Sequence, residues 1–133
     1  RREHADRVVD IATLTGAMAR MFGNSISGLM AQGEAFCQEF LDAAGRTGER
    51  FCPVPWYREH EKMIESDMAD IKNVSDACPA ITAGLFIRHF AKGKPWIHLD
   101  IAGTADVDKP VFAYQEKRAT GVGVLTLYEL CKG

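Results

Sequence analysis

Two apolar segments that run into small residues stand out in the pattern of hydrophobic and polar positions. Residues 8–12 (Val-Val-Asp-Ile-Ala) indicate a buried strand, and they continue into residues 13–16 (Thr-Leu-Thr-Gly). Residues 96–101 alternate between two faces and continue into residues 102–105 (Ala-Gly-Thr-Ala). Loops at the carboxyl ends of strands are where α/β proteins bind ligands. If the two strands are adjacent and parallel, we expect their loops to frame a cleft.

Helical spacing and turn residues predict the remaining elements. Strands are expected at residues 26–31 and, as a short extended segment, at 51–55. Loops are expected at 67–79 and 106–118. The predicted helices cover residues 17–22, 34–44 with Gly45 as its stop, 56–66, 80–90, and 121–131 with Thr120 as its cap. Gly28, inside the second strand, predicts a bulge or a close backbone contact.

Composition narrows the class of protein. The 133 residues are 47% apolar, which suits one domain with a real core. A net charge of -2 without a basic run argues against a nucleic-acid partner, and no apolar run is long enough for a membrane span. The four cysteines lie far apart without a C-x-x-C pair. We therefore expect free, mostly buried thiols and a reducing, cytoplasmic location.

Three groups of polar residues are candidates for chemistry. His98 and Asp100 share one strand face. They could act as ligands, as an acid–base pair, or as a hydrogen-bonded support for nearby loops, and the support is the favoured interpretation. The carboxylates of residues 67–76 lack the spacing of a calcium loop, so caps and turns explain them better. The Glu-His-Glu of residues 59–61 lacks the second histidine of a zinc motif, which favours a solvated helix face.

The two strand-end segments closely resemble the leucyl aminopeptidase family (cytosol aminopeptidase, peptidase family M17). Further motifs that recur there in the same order are residues 26–31 (Ile-Ser-Gly-Leu-Met-Ala), 69–73 (Ala-Asp-Ile-Lys-Asn), 80–84 (Ala-Ile-Thr-Ala-Gly) and 119–121 (Ala-Thr-Gly). Each motif is weak alone, but together they are highly specific and cover nearly the whole chain. The resemblance implies a three-layer α/β/α sandwich with a mixed, mainly parallel, zinc-exopeptidase-like sheet, of which the four strand segments above are a part.

The resemblance also implies a function and the residues that serve it. Members of the family use two divalent metals, Zn or Mn, to remove N-terminal residues from peptides, and they assemble as hexamers. By resemblance, the Leu14 carbonyl and the Gly16 N–H hydrogen-bond the main chain of the substrate. The pocket for its first side chain is lined by Thr13, Gly16, Ala102 and Ala105. The expected partners are a peptide substrate, the upstream part of the same domain and further copies of the chain.

The metal ligands of the family are Lys, Asp and Glu residues that end in an Asn-Thr-Asp-Ala-Glu-Gly-Arg motif, which does not occur in these 133 residues. Residues 1–5 are similar to the last turn of the helix that follows that motif. We therefore expect residues 1–133 to be the C-terminal portion of the catalytic domain, with no catalytic residue, metal ligand or cofactor of its own. The isolated chain should be inactive.

Two classes of function remain open at this point. The chain is either part of a hydrolase that carries the substrate wall, or a non-catalytic binding or structural module that retains the C-terminal shape of an aminopeptidase. The reading frame upstream of Arg1 discriminates between them: an Asn-Thr-Asp-Ala-Glu-Gly-Arg-like segment indicates the enzyme, and a start codon indicates the module.

Overall fold

A computed structural model of the protein describes residues 4–133, so the helical turn expected at residues 1–5 falls mostly outside the described part. The strands of the described chain are β1 (Val8–Ala12), β2 (Ser27–Gln32), β3 (Phe51–Pro53), β4 (Trp96–Asp100), β5 (Asp106–Val107) and β6 (Arg118–Ala119). The helices are α1 (Gly16–Phe22), α2 (Glu34–Thr47), α3 (Arg58–Lys62), α4 (Pro79–Ala91) and α5 (Val124–Lys132). Within residues 4–133, no helix is long and apolar enough to cross a membrane.

Four strands form the central sheet in the order β1-β4-β2-β3. The pairs β1–β4 and β2–β3 are parallel, whereas β2–β4 is antiparallel. The mixed, mainly parallel sheet expected from the resemblance is therefore confirmed. The register places Ala12 beside Asp100, so that the loops after β1 and β4 leave the same edge side by side. The adjacency on which the predicted cleft depends is present.

Each face of the sheet carries its own apolar core. On one face, α2 and α5 pack on Leu29, Ile97 and Leu99. On the other face, side chains of α1 and α4 pack with Met30 and Trp96. Alternation along β4 sends neighbouring side chains to opposite layers, which is why all five of its residues are buried. The arrangement is a three-layer α/β/α sandwich, as the sequence indicated.

Three predicted helix boundaries were wrong, and glycine conformation explains two of them. Gly45 lies inside α2, which continues to Thr47 and ends at left-handed Gly48 (φ 79°). The last helix begins at Val124 rather than 121, since Gly121 and Gly123 have positive φ values. The predicted helix over 56–66 shrinks to α3, because the chain after it tightens into three-residue turns that bury Ile64.

The other differences from prediction are smaller. Thr120 does not cap α5; its hydroxyl donates to the Thr104 carbonyl oxygen at 2.6 Å. The region 106–118, expected to be a loop, contributes strands β5 and β6 at its ends. The four cysteines are free, but the expectation that most are buried was wrong: Cys37, Cys52 and Cys78 are half-buried and Cys131 is exposed. Burial raises the pKa of the Cys37 thiol.

Glycine at positions 28 and 103 allows close packing. A Cβ on Gly28 would lie 2.4 Å from the sulfur of Met18, which confirms the close contact predicted at this position. A Cβ on Gly103 would lie 2.1 Å from the backbone oxygen of Gly23. The second contact is with backbone, which cannot rotate away as a side chain can. The loop after β4 therefore packs directly on the end of α1.

The substitution Gly103→Ala should destabilise the protein by about 2–3 kcal/mol, because the added methyl forces two backbone segments apart. Gly45→Ala is the matched control. A Cβ at position 45 meets nothing within 4 Å, and alanine favours the helix, so a gain of about 0.5–1 kcal/mol is expected. Urea unfolding of the three proteins measures both changes. Equal stabilities of the two variants would contradict the packing described for Gly103.

Candidate functional site

The candidate site lies at the edge of the sheet where β1 and β4 both end. The loop of residues 13–16 follows β1, and the loop of residues 101–105 follows β4. A backbone hydrogen bond from the Ile101 N–H to the Ala12 oxygen (2.9 Å) extends the strand pairing to the start of both loops. Their separation is therefore determined by the sheet.

The Asp100 carboxylate connects the two loops from below. Its side chain is 1% exposed. One oxygen, Oδ1, accepts hydrogen bonds from the backbone N–H groups of Leu14 (3.2 Å) and Ala102 (3.1 Å). The other oxygen, Oδ2, accepts from the Thr15 hydroxyl at 2.8 Å. A buried carboxylate with three donors is a structural support, and this confirms the favoured interpretation of Asp100.

Thr15 carries the same network into the neighbouring helix. While its hydroxyl donates to Asp100, its oxygen accepts from the Met18 N–H at 3.1 Å and caps α1. The start of α1 is therefore positioned by β4, through a single side chain. Gly16 is the first residue of α1, where a backbone N–H has no partner within the helix.

A second network, which the sequence did not predict, supports β1. Asp10 accepts a hydrogen bond from Trp96 Nε1 at 2.7 Å and pairs with His98 Nδ1 through its other oxygen. The His98 ring is 1% exposed and stacks on Trp96, and its Nε2 lacks a hydrogen-bond partner among residues 4–133. His98 therefore joins two strands, and it does not face the cleft as half of an acid–base pair with Asp100.

The structure brings only some of the predicted substrate-binding residues together. Leu14 and Gly16 line a cavity of about 270 Å³. The same cavity is also lined by residues that the sequence analysis did not propose as a site: Arg20 of α1, the loop residues Asn73, Val74 and Ser75, and Pro79, Thr82 and Ala83 at the start of α4. Two of the family motifs contribute to this cavity, residues 69–73 with Asn73 and residues 80–84 with Thr82 and Ala83, while nothing in the pattern indicated Arg20.

The remaining predicted residues lie beside this cavity rather than in its wall. Thr13 is exposed, and Ala102 and Ala105 are half-buried in the loop after β4. Ala102 is linked to Leu14 through Asp100. Ala105 is fixed within the same loop, because its N–H donates to the Ile101 oxygen at 2.9 Å. The structure thus places all five predicted residues on two adjacent loops, of which one lines the cavity.

A larger cavity of about 440 Å³ contacts the loop after β4 at Thr104. It is lined by Thr104, Thr120 and Glu49, among others. The Glu49 carboxylate is already occupied, since it accepts from Gly123 N (2.8 Å), Thr126 N (3.0 Å) and the Thr126 hydroxyl (2.6 Å). These bonds cap α5. The lining of the larger cavity does not include the loop of residues 13–16.

No group of three or more His, Cys, Asp or Glu side chains within residues 4–133 is arranged to hold an ion. The two carboxylates nearest the cleft, Asp10 and Asp100, use both of their oxygens for N–H and O–H donors.

Comparison with known proteins assigns the chain to a family. Residues 1–128 match the model of the cytosol aminopeptidase family, catalytic domain. The chain belongs to this family. It is 46% identical over 129 residues to the probable cytosol aminopeptidase of Alkaliphilus metalliredigens, and 41% identical over 130 residues to that of Clostridium perfringens. The match covers 96% and 97% of this chain.

A solved structure shares the fold. The bottromycin maturation enzyme BotP is 37% identical, with a TM-score of 0.89 over 97% of this chain, and a second structure of BotP is a complex with Mn. The chain spans about a quarter of the length of the curated relatives (26%) and 29% of the BotP chain. The family and fold expected from the sequence are confirmed, and the match concerns one part of these longer proteins.

The network around Asp100 can be tested with Asp100→Asn. The amide keeps the shape of the side chain but turns an NH₂ group toward N–H or O–H donors, so a loss of about 2 kcal/mol in unfolding free energy is expected. Amide hydrogen exchange at Leu14 and Ala102 should accelerate. Asp42→Asn, at an exposed position of α2, is the control and should change stability by less than about 0.5 kcal/mol. Unchanged exchange at Leu14 would contradict the assigned support.

Proposed function

We propose that residues 1–133 are the C-terminal portion of an aminopeptidase catalytic domain, and that they supply the wall on which a peptide is bound. Membership of the family supports a peptidase function, and the relatives are named as probable cytosol aminopeptidases. The main structural support is the pair of loops at the ends of β1 and β4, which Asp100 holds in one position beside the cavity.

The chemical character of this wall suits a peptide. Gly16 contributes a backbone N–H next to the Leu14 backbone, and backbone groups bind the part of a peptide that does not vary with sequence. In this proposal the Leu14 carbonyl and the Gly16 N–H hydrogen-bond the substrate main chain. Thr13, Gly16, Ala102 and Ala105 line the pocket for the first side chain, where their small size leaves room for a group as large as leucine.

The proposed reaction of the complete protein is the hydrolysis of the N-terminal residue from a peptide. Two divalent metals, Zn or Mn, are proposed as its cofactors, and the Mn complex of BotP supports a divalent metal. By resemblance to the family, we assign the ligands to the upstream part of the domain, and the lack of a group of three or more His, Cys, Asp or Glu side chains among residues 4–133 supports this assignment. The role of this chain is to bind and orient the peptide.

The remaining features of the proposal concern assembly and location. Val124, Leu125 and Tyr128 of α5 are exposed, and large apolar side chains at a surface favour association with further copies. We propose a homo-oligomer, of which a hexamer is the form expected in the family. Relatives named as cytosol aminopeptidases support a cytoplasmic location. We propose no nucleic-acid partner, because the net charge of -2 gives no general attraction to nucleic acid.

The division of labour predicts that the isolated 133-residue chain does not hydrolyse leucine amide with Zn²⁺ or Mn²⁺ added, because it cannot place the ions. The complete polypeptide that carries this chain should hydrolyse leucine amide with either ion and lose activity with a chelator. Release of leucine, followed by chromatography, measures both. Hydrolysis by the isolated chain would refute the assigned division, and an inactive complete polypeptide would favour the non-catalytic module.

The proposed role of the Gly16 N–H can be tested by Gly16→Pro in the complete polypeptide. Proline is well tolerated at the first position of a helix, and the extended backbone of Thr15 suits a residue before proline. The substitution therefore removes one N–H with little strain. We expect kcat/KM to fall roughly tenfold, the equivalent of about 1.4 kcal/mol.

The control for this experiment is Gly16→Ala, which retains the N–H. The nearest atom to its added Cβ is Nη1 of Arg20 at 3.4 Å, an ordinary contact. This variant should retain most of the kcat/KM of the original protein. If the proline variant and the alanine variant were equally active, the hydrogen bond assigned to Gly16 would have to be abandoned.

A further inference from the structure

Arg20 is an exposed residue of α1 beside the loop that carries Leu14 and Gly16. It is four residues after Gly16 on α1, so the two residues occupy the same face of the helix. Its guanidinium extends back over Gly16, with Nη1 3.4 Å from the point where a Cβ of residue 16 would stand. Arg20 and Gly16 line the same cavity of about 270 Å³.

Arg20 has no counter-ion within the described residues. The arginines Arg7, Arg46 and Arg88 form ion pairs with glutamates in the part of the chain that the structure describes, and Arg20 is not among them. Three loop residues that line the same cavity, Asn73, Val74 and Ser75, are uncharged. A guanidinium is always charged and carries five N–H donors in a fork that matches a carboxylate. The cavity therefore offers one positive group without a negative partner.

We propose that Arg20 binds a carboxylate on the second residue of the substrate, and that it makes the enzyme selective for peptides that carry one there. This inference rests on the proposed function, in which the Gly16 N–H hydrogen-bonds the substrate main chain. A group beyond that hydrogen bond lies next to the Arg20 guanidinium. The carboxylate has two possible sources: the C-terminus of a dipeptide or the side chain of an acidic second residue.

The experiment compares three substrates of the complete, metal-loaded polypeptide. Leu-Gly has a terminal carboxylate, Leu-Asp-amide has a side-chain carboxylate, and Leu-Gly-amide has neither. The measured quantity is the ratio of kcat/KM for each acidic substrate to kcat/KM for Leu-Gly-amide. Arg20→Leu should lower at least one ratio roughly tenfold, the size of a single charge-assisted hydrogen-bonded contact.

Arg20→Lys separates the two properties of the side chain. Lysine keeps the positive charge but loses the planar fork, so its ratio should fall between those of the original protein and the leucine variant. Arg58→Leu, at an exposed position of α3, is the control for a general loss of positive charge and should leave both ratios unchanged. A drop with Leu-Gly identifies the terminal carboxylate, and a drop with Leu-Asp-amide identifies the side chain.

Two outcomes would overturn the inference in distinguishable ways. If Arg20→Leu leaves both ratios unchanged while Leu-Gly-amide is hydrolysed, the selectivity assigned to Arg20 is wrong and the proposed function stands. If the original protein hydrolyses none of the three substrates, the proposed function is wrong and the inference falls with it.

Discussion

The Asp100 carboxylate is the interaction on which the geometry of this sheet edge depends. A carboxylate removed from water is unfavourable unless donors surround it, and here the donors come from the loops after both β1 and β4. The two loops therefore satisfy the same charge and cannot move independently. Thr15 extends this constraint to α1, since one hydroxyl contacts Asp100 and caps the helix. A buried negative charge thus sets the shape of a surface made of backbone and small side chains.

Small residues let the elements around this charge approach each other. The backbone of Gly103 packs on the end of α1, and Gly28 leaves space for Met18 beneath the sheet. Because Gly16 has no side chain, nothing of its own covers its N–H beside Leu14. Like Asp100, Glu49 holds an element in place through its carboxylate, which caps α5 from outside the helix. Surfaces with few side chains are well suited to bind the main chain of a peptide, and Arg20 adds the one charge that such a surface lacks.

The errors of prediction occurred where local pattern and long-range contact differ. Gly45 resembles a helix stop, but the helix continues because nothing crowds it and left-handed Gly48 ends it three residues later. Thr120 resembles a helix cap, yet its hydroxyl is taken by Thr104, so the capping of α5 falls to Glu49. Of the cysteines expected to be mostly buried, three are half-buried and Cys131 is exposed. For Thr120 and for the cap of α5, the deciding partner is distant in sequence and gives no periodic signal.

The sequence by itself determined the class of fold, the positions of the main strands, and the family. Alternation and helical spacing are local properties of consecutive residues, and the motifs of residues 8–17 and 96–105 carry the resemblance. Only the tertiary structure decided that Asp100 contacts Leu14, that Asp10 joins Trp96 and His98, and that Arg20 faces the loop of residues 73–75. Leu14 and Asp100 are 86 positions apart. Such contacts depend on the order of the strands and on the register of their pairing, which side-chain pattern within one segment does not encode.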